Sequence, residues 1–262
     1  MMETPLFQIK NVTIQYNKNT VVQDVSLSLQ SGEILGIVGE SGSGKSTVLK
    51  AAMGLLGKSG HVSEGSILFK GKDISQLTSE EMRLLRGPEM GMIFQDCAAS
   101  LCPTRKIGDQ LFEILNQHQK ISKADMITKA IELMKKFNLN DGKRILNSYP
   151  FELSGGMNQR VGIVMAMMLH PALLFADEPT SALDVTVQAQ VVKEMMKMRE
   201  LYDTGIVLVT HNIGVVSYMA DKIAIMYKGQ MIEYGSKNEI IHHPKEEYTK
   251  KLLAAVPRIC KE

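Results

Sequence analysis

Residues 39–46 read Gly-Glu-Ser-Gly-Ser-Gly-Lys-Ser, and few eight-residue stretches constrain a chain so tightly. Ahead of them, Ile34-Leu35-Gly36-Ile37-Val38 is a short apolar run suited to a buried parallel strand. Behind them, Ser46 to Leu56 predicts a helix, with Val48, Leu49, Ala52 and Leu55 at helical spacing. A strand, a glycine-rich turn and a helix in this order make a cradle for phosphate. Gly39, Gly42 and Gly44 can take angles that point successive N–H groups inward as an anion nest. The helix start adds roughly half a positive charge. Lys45 would reach the outer phosphates of a nucleoside triphosphate, and the Ser46 hydroxyl would ligate Mg²⁺.

A second apolar run, Ala172-Leu173-Leu174-Phe175-Ala176, ends in Asp177-Glu178. An interior strand delivers its terminal acids to the same edge as a phosphate loop. Two adjacent acids divide the work: Asp177 would hold the metal, and Glu178 would polarise the attacking water.

The order of further motifs resembles that of the nucleotide-binding subunits of ATP-binding cassette (ABC) transporters, over nearly the whole chain. Leu153-Ser154-Gly155-Gly156-Met157 is similar to the family signature, and Ser181-Ala182-Leu183-Asp184 to the loop by which two cassettes read each other's state. His211, after the strand Ile206 to Thr210, resembles the switch histidine. Gln95, after Met92-Ile93-Phe94, resembles the glutamine that senses the terminal phosphate and joins the metal's ligands. Tyr16, closing the strand Val12 to Gln15, sits where the family stacks an aromatic ring on adenine. The resemblance implies that Gly39, Glu40, Ser41, Gly42, Ser43, Gly44, Lys45, Ser46 and Thr47 surround ATP. It also implies that Ser154, Gly155, Gly156 and Met157 act on ATP held by another cassette. Ser154-Gly155-Gly156 precedes a helix predicted from Met157 to Leu169, a second cap-and-dipole anion site.

Within the family, the stretch Gln95 to Pro103, Tyr149-Pro150-Phe151-Glu152, the run from Asp177 to Gln190, and His242-His243-Pro244 followed by Tyr248-Thr249-Lys250 and Leu252-Leu253 resemble the dipeptide, oligopeptide and nickel importer ATPases. Cys97 and Cys102 stand where that group usually has proline and asparagine, and Asn212 where it usually has aspartate. The short end beyond Cys260 leans towards the nickel and metallophore branch.

The resemblance implies an α/β fold: a P-loop NTPase core with a mixed, mainly parallel sheet, an antiparallel β-subdomain and an inserted α-helical subdomain. Residues 6–36 and 65–71 read as strands with turns. Helical faces over 107–138 mark the insertion, placed at about 96–165. A long helix follows over 186–202, and two short strands over 222–235 meet at Lys228-Gly229-Gln230. The cassette spans 4–245, with a short C-terminal helix and tail over 246–262.

At 262 residues and 44% apolar composition the chain can bury a core. A net charge of +2 gives no strong pull on nucleic acid. Three cysteines and no signal peptide fit a reducing compartment, with Cys97 and Cys102 read as packing residues. The 18 methionines read as helix core filler. The longest apolar stretch, Val161 to Leu169, is too short to span a bilayer.

The resulting expectation is an ATPase motor subunit at the cytoplasmic face of the cell membrane, closing head to tail on a second cassette, a paralogue. It would drive two transmembrane permease subunits fed by an extracytoplasmic solute-binding protein, for nickel, a metallophore or peptides. It would bind no nucleic acid and meet the membrane only through the permease. The alternative, a soluble ABC ATPase acting on nucleic acid or ribosomes, would call for long coiled-coil insertions. No sustained heptads lie between Lys45 and Ser154.

Overall fold

Alternating apolar residues make residues 7–29 a hairpin. In the computed structural model, which describes residues 4–181 and 183–255, β1 (Phe7–Tyr16) pairs antiparallel with β2 (Asn19–Leu29). The alternation breaks between Ile9 and Val12, and the register shifts there. Asn11 and Asp24 take φ of 46° and 48° beside this irregularity, and their side chains hydrogen bond at 2.8 Å. β3 (Ile34–Val38) is buried along its full length, as its unbroken apolar run predicts. α1 (Lys45–Ala52) follows the glycine-rich turn. It stops short of the predicted Leu56, because Gly54 turns left-handed at φ 61° and leaves Leu55 outside at 39% exposure. β4 (Gly60–Phe69) begins earlier than the apolar pattern suggests, since its first residues are mostly polar, and lies antiparallel to β1. It turns through Lys70 and Gly71, both at positive φ, into β5 (Lys72–Asp73). α2 (Ser79–Leu85) follows.

Residues 83–204 form one compact unit. β6 (Met90–Ile93) leads to α3 (Cys97–Ser100) and then to three helices, α4 (Ile107–His118), α5 (Lys123–Lys136) and α6 (Gly142–Asn147), across the stretch read as the helical insertion. Each buries an apolar stripe: Ile107, Leu111 and Leu115 on α4; Met126, Ala130, Leu133 and Met134 on α5; Ile145 and Leu146 on α6. A 3₁₀ turn over Pro150–Glu152 precedes α7 (Gly155–Met167). α7 starts two residues before the predicted Met157, because the Ser154 hydroxyl caps it by accepting the Met157 N–H at 3.3 Å. β7 (Leu173–Asp177) runs parallel to β6, and α8 (Val185–Tyr202) closes the unit.

Residues 4–82 and 205–255 form the other unit. β8 (Gly205–Thr210), α9 (Ile213–Met219), β9 (Lys222–Tyr227), β10 (Gln230–Ser236), α10 (Lys237–His242) and α11 (Glu247–Ala254) complete it. Its strands run in the order β5-β4-β1-β2-β10-β9-β3-β8. β9, β3 and β8 are mutually parallel, β1, β2, β4 and β5 are antiparallel, and a single parallel pairing, Gln230 with Gln23, joins β10 to β2. Among the described residues no helix is long and apolar enough to cross a membrane.

Candidate functional site

β3 and β8 are parallel and in register, with Val38 opposite Thr210. The residues that follow them, the loop from Gly39 and then His211, therefore leave the sheet at the same edge, outside the carboxyl ends of the strands. A Cβ on Gly39 would sit 2.1 Å from the Met226 carbonyl oxygen, so no side chain fits there. Gly44, the residue capping α1, has φ 98° and would bring a Cβ to 2.9 Å from Val22. The Ser43 carbonyl accepts the Gly229 N–H at 3.2 Å, so the β9–β10 turn buttresses the loop from outside.

Lys45 is buried at 5% exposure. Its Nζ donates to the carbonyls of Gly39 at 2.8 Å and Glu40 at 2.7 Å. The ammonium is thereby folded back over the rim of its own loop. Ser43 Oγ is buried, with no hydrogen-bond partner within the described protein. A buried hydroxyl in a glycine-rich nest suits an anion that supplies the missing acceptor.

Tyr16 ends β1, opposite Asn19 and Gly60, and is half-buried. His211 is exposed, and the Asn212 side chain after it caps α9 by accepting the N–H groups of Gly214 at 2.9 Å and Val215 at 3.3 Å. The departure from aspartate at 212 keeps the capping oxygen.

The 83–204 unit carries the remaining predicted residues. β6 pairs with β7 in the register Ile93 with Ala176, so Gln95 and the Asp177-Glu178 pair emerge at one end of these strands. Gln95 is exposed and Asp177 is buried. Glu178 holds φ 45°, a left-handed angle that few residues other than glycine adopt. The chain turns there, and the Glu178 carbonyl accepts the Ser181 N–H at 3.2 Å and its hydroxyl at 3.1 Å. Strain of this kind, at an acidic residue ending an interior strand, is typical of functional positions. In the following loop Leu183 N–H donates to the Thr180 carbonyl at 3.3 Å, and Asp184 caps α8 by accepting the Val187 N–H at 3.0 Å. Ala182 lies outside the described residues.

The signature turn is exposed at Ser154 and Gly155, and a Cβ on Gly155 would meet open space. Gly156 is different, since its Cβ would lie 3.0 Å from Val187 Cγ1 on α8. Two residues the sequence reading passed over fasten this turn. Asn158 donates to the carbonyl of Pro150 at 2.9 Å, and Gln159 to that of Pro179 at 2.7 Å. Both are about 5% exposed, and a polar pair on the inward face of an apolar helix was the available signal.

Cys97 fits its packing role. It lies against α7, where a Cβ on Gly162 would come within 2.4 Å of its Sγ, and burial pushes its thiol up to about 12. Cys102 does not: it is exposed, its N–H and carbonyl are bound by the Gln110 side chain, and hydrogen bonds with Thr104 lower its thiol. The predicted apolar contact is absent because residues 102–105 form a surface turn outside the helices. Among the described residues no cluster of three His, Cys, Asp or Glu side chains could hold a metal ion.

The ABC transporter family profile matches residues 22–181. The dipeptide transport ATP-binding protein DppD of Lactococcus lactis subsp. cremoris is 43% identical over 264 aligned residues, covering 99% of this chain and 76% of that protein. The oligopeptide transport ATP-binding protein OppD of Bacillus subtilis is 44% identical over 261, covering 98% and 73%. Among solved structures, a dimeric ATP-binding cassette in a post-hydrolysis state, bound to ADP and Pi, superposes with a TM-score of 0.78 at 27% identity, covering 88% of this chain and 98% of that one. The chain belongs to the ABC transporter family, as an ATP-binding cassette. Its activity is ATP hydrolysis coupled to transport.

Proposed function

We propose that this cassette is one of two ATPase motors of a peptide importer. Two relatives more than 40% identical over nearly the whole chain, named for dipeptide and oligopeptide transport, support the solute class. The cassettes close head to tail on ATP, each signature turn contacting the nucleotide held by the other. Two transmembrane permease subunits anchor the pair at the cytoplasmic face of the membrane and receive solute from an extracytoplasmic binding protein. The single observation that carries this reading is the exposed, Ser154-capped start of α7. A 13-residue helix presents its positive end there, with open space beyond Gly155.

In this reading the loop amides from Gly39 to Thr47 and the Lys45 ammonium bind the phosphates, and Tyr16 stacks on the adenine. The donors assigned to a metal are the Ser46 hydroxyl, the Gln95 amide oxygen and the Asp177 carboxylate. An all-oxygen set of this kind suits a hard divalent cation. Mg²⁺ held there supplies charge neutralisation at the phosphates. Glu178 orients and polarises the water, and His211 donates towards the terminal phosphate. Little covalent work remains, because phosphoryl transfer is governed by positioning and electrostatics. Ser154, Gly155, Gly156 and Met157 complete the site in trans, and Ser181 to Asp184 carries the state of one site to the other.

Mixing two inactive chains tests this reading. Ser154→Arg blocks the signature and Lys45→Ala the phosphate loop, so where two copies of this chain pair in place of the paralogue, a mixed dimer keeps one intact composite site. Partial recovery of ATPase activity on mixing is expected. Normal pairing of the two chains without recovery would overturn the shared site.

A further inference from the structure

The peptide group between Gly39 and Glu40 is gripped from both sides. Its carbonyl, on Gly39, accepts Lys45 Nζ at 2.8 Å, and its N–H, on Glu40, donates to the Tyr248 hydroxyl at 3.1 Å. A trans peptide points its C=O and N–H in opposite directions, so Tyr248 holds the face of the loop opposite the lysine. The loop's outer rim is thus tied to α11, more than two hundred residues further along the chain.

Tyr248 is itself held in place. Its ring packs on Tyr227, at the end of β9, with centroids 4.5 Å apart and planes tilted by 40°. The start of α11 is clamped by Glu233 on β10, whose two carboxylate oxygens accept the N–H groups of Lys245 at 2.7 Å and Glu246 at 3.3 Å. Thr249, the next residue along, is fully buried. Burial also pushes the Tyr248 hydroxyl above its ordinary range, which keeps it protonated and neutral.

From this geometry we infer that Tyr248 is a positioning residue for ATP binding: through the Glu40 N–H it fixes the peptide that holds Lys45, so the C-terminal helix sets the cassette's affinity for nucleotide. The inference rests on the phosphate-loop reading given above. A cradle that is already shaped loses less conformational freedom when it binds. The effect falls on ground-state binding and not on the chemical step, because Tyr248 touches the outside of the loop and none of the residues assigned to the water.

The test uses the full chain, with ATP and ADP as ligands. Tyr248→Phe keeps the ring on Tyr227 and removes only the hydroxyl. It is expected to weaken both nucleotides about five-fold, the scale of one hydrogen bond, and to raise the KM for ATP in proportion with kcat unchanged. Exchange of the Glu40 amide with solvent should quicken by about ten-fold or more while the β3 amides keep their protection. Glu233→Ala should reproduce the affinity loss by releasing the helix. Lys250→Ala, on the same helix but away from the loop, should bind as the parent does. Unchanged affinity and unchanged Glu40 exchange in Tyr248→Phe would overturn the proposal, and so would an equal loss in Lys250→Ala. Lys45→Ala keeps the two readings apart. Parental ATP binding by that variant would sink the phosphate-loop assignment, whereas its failure to bind beside an unaffected Tyr248→Phe would sink only the role of Tyr248.

Discussion

Gln159 on α7 donates its side-chain amide to the Pro179 carbonyl, 2.7 Å away and one residue beyond Glu178. Both residues are buried, so the bond ties the signature helix to the turn that carries the acid. Gln159→Met keeps the length and loses the donor, leaving a buried carbonyl unpaired. A destabilisation of about 1–3 kcal/mol is expected in denaturant unfolding, accompanied by slower ATP turnover as Glu178 loses its support. A variant as stable and as active as the parent would show that the bond contributes nothing.

Glu178 sits at an angle its side chain does not favour, so the replacement must keep its shape. Glu178→Gln removes the charge alone. It is expected to bind ATP like the parent and to hydrolyse it slower by roughly two orders of magnitude or more, the scale of one preorganised transition-state group. ATP-bound dimers should accumulate and be visible by light scattering. Turnover near the parental rate would remove Glu178 from the proposed chemistry.

The two described cysteines should separate cleanly by reactivity. Thiolate is the reactive species. Burial holds the Cys97 thiol at about 12, whereas Cys102 is exposed and lowered by its Thr104 hydrogen bonds. At about pH 8, iodoacetamide is expected to label Cys102 in minutes and Cys97 only after denaturant is added. Peptide mass mapping reads out each site, and equal labelling in the native state would contradict the packing of Cys97 against Gly162.

Glu194 gives the fold a predictable pH dependence. It is 3% exposed and accepts Asn138 Nδ2 at 3.2 Å, with Arg160 Nε 3.8 Å away. Burial, the largest influence, raises its carboxyl above the ordinary range, although Asn138 and Arg160 pull the other way. Over the window between the ordinary and the raised value the native state holds a proton that the unfolded chain has released. Stability therefore falls as pH climbs through that window. Glu194→Gln cannot titrate, so unfolding curves across it should show the parent losing stability relative to the variant. Parallel curves would mean that the carboxyl is not raised.

The glycine-rich turn between β3 and α1, the interior strands and the long α8 were legible in the sequence because each is a local pattern. A five-residue apolar run bounded by turn residues suits an inner strand, as at Ile34–Val38 and Leu173–Asp177, whereas the longer run from Val161 lies in α7. The order of motifs carried the family for the same reason. Several things were not legible. α1 ends at Ala52 because Gly54 outweighs the apolar periodicity beyond it. Cys102 is exposed because a surface turn, and no helical face, holds it. Gln159 on Pro179, Glu233 under α11 and Tyr248 on Glu40 join residues distant along the chain. A hydrogen bond of that kind depends on two backbones meeting within about 3 Å, which no spacing along one strand or helix encodes. The sequence alone therefore determined which chemical groups this cassette owns, and only the tertiary structure decided what holds them still.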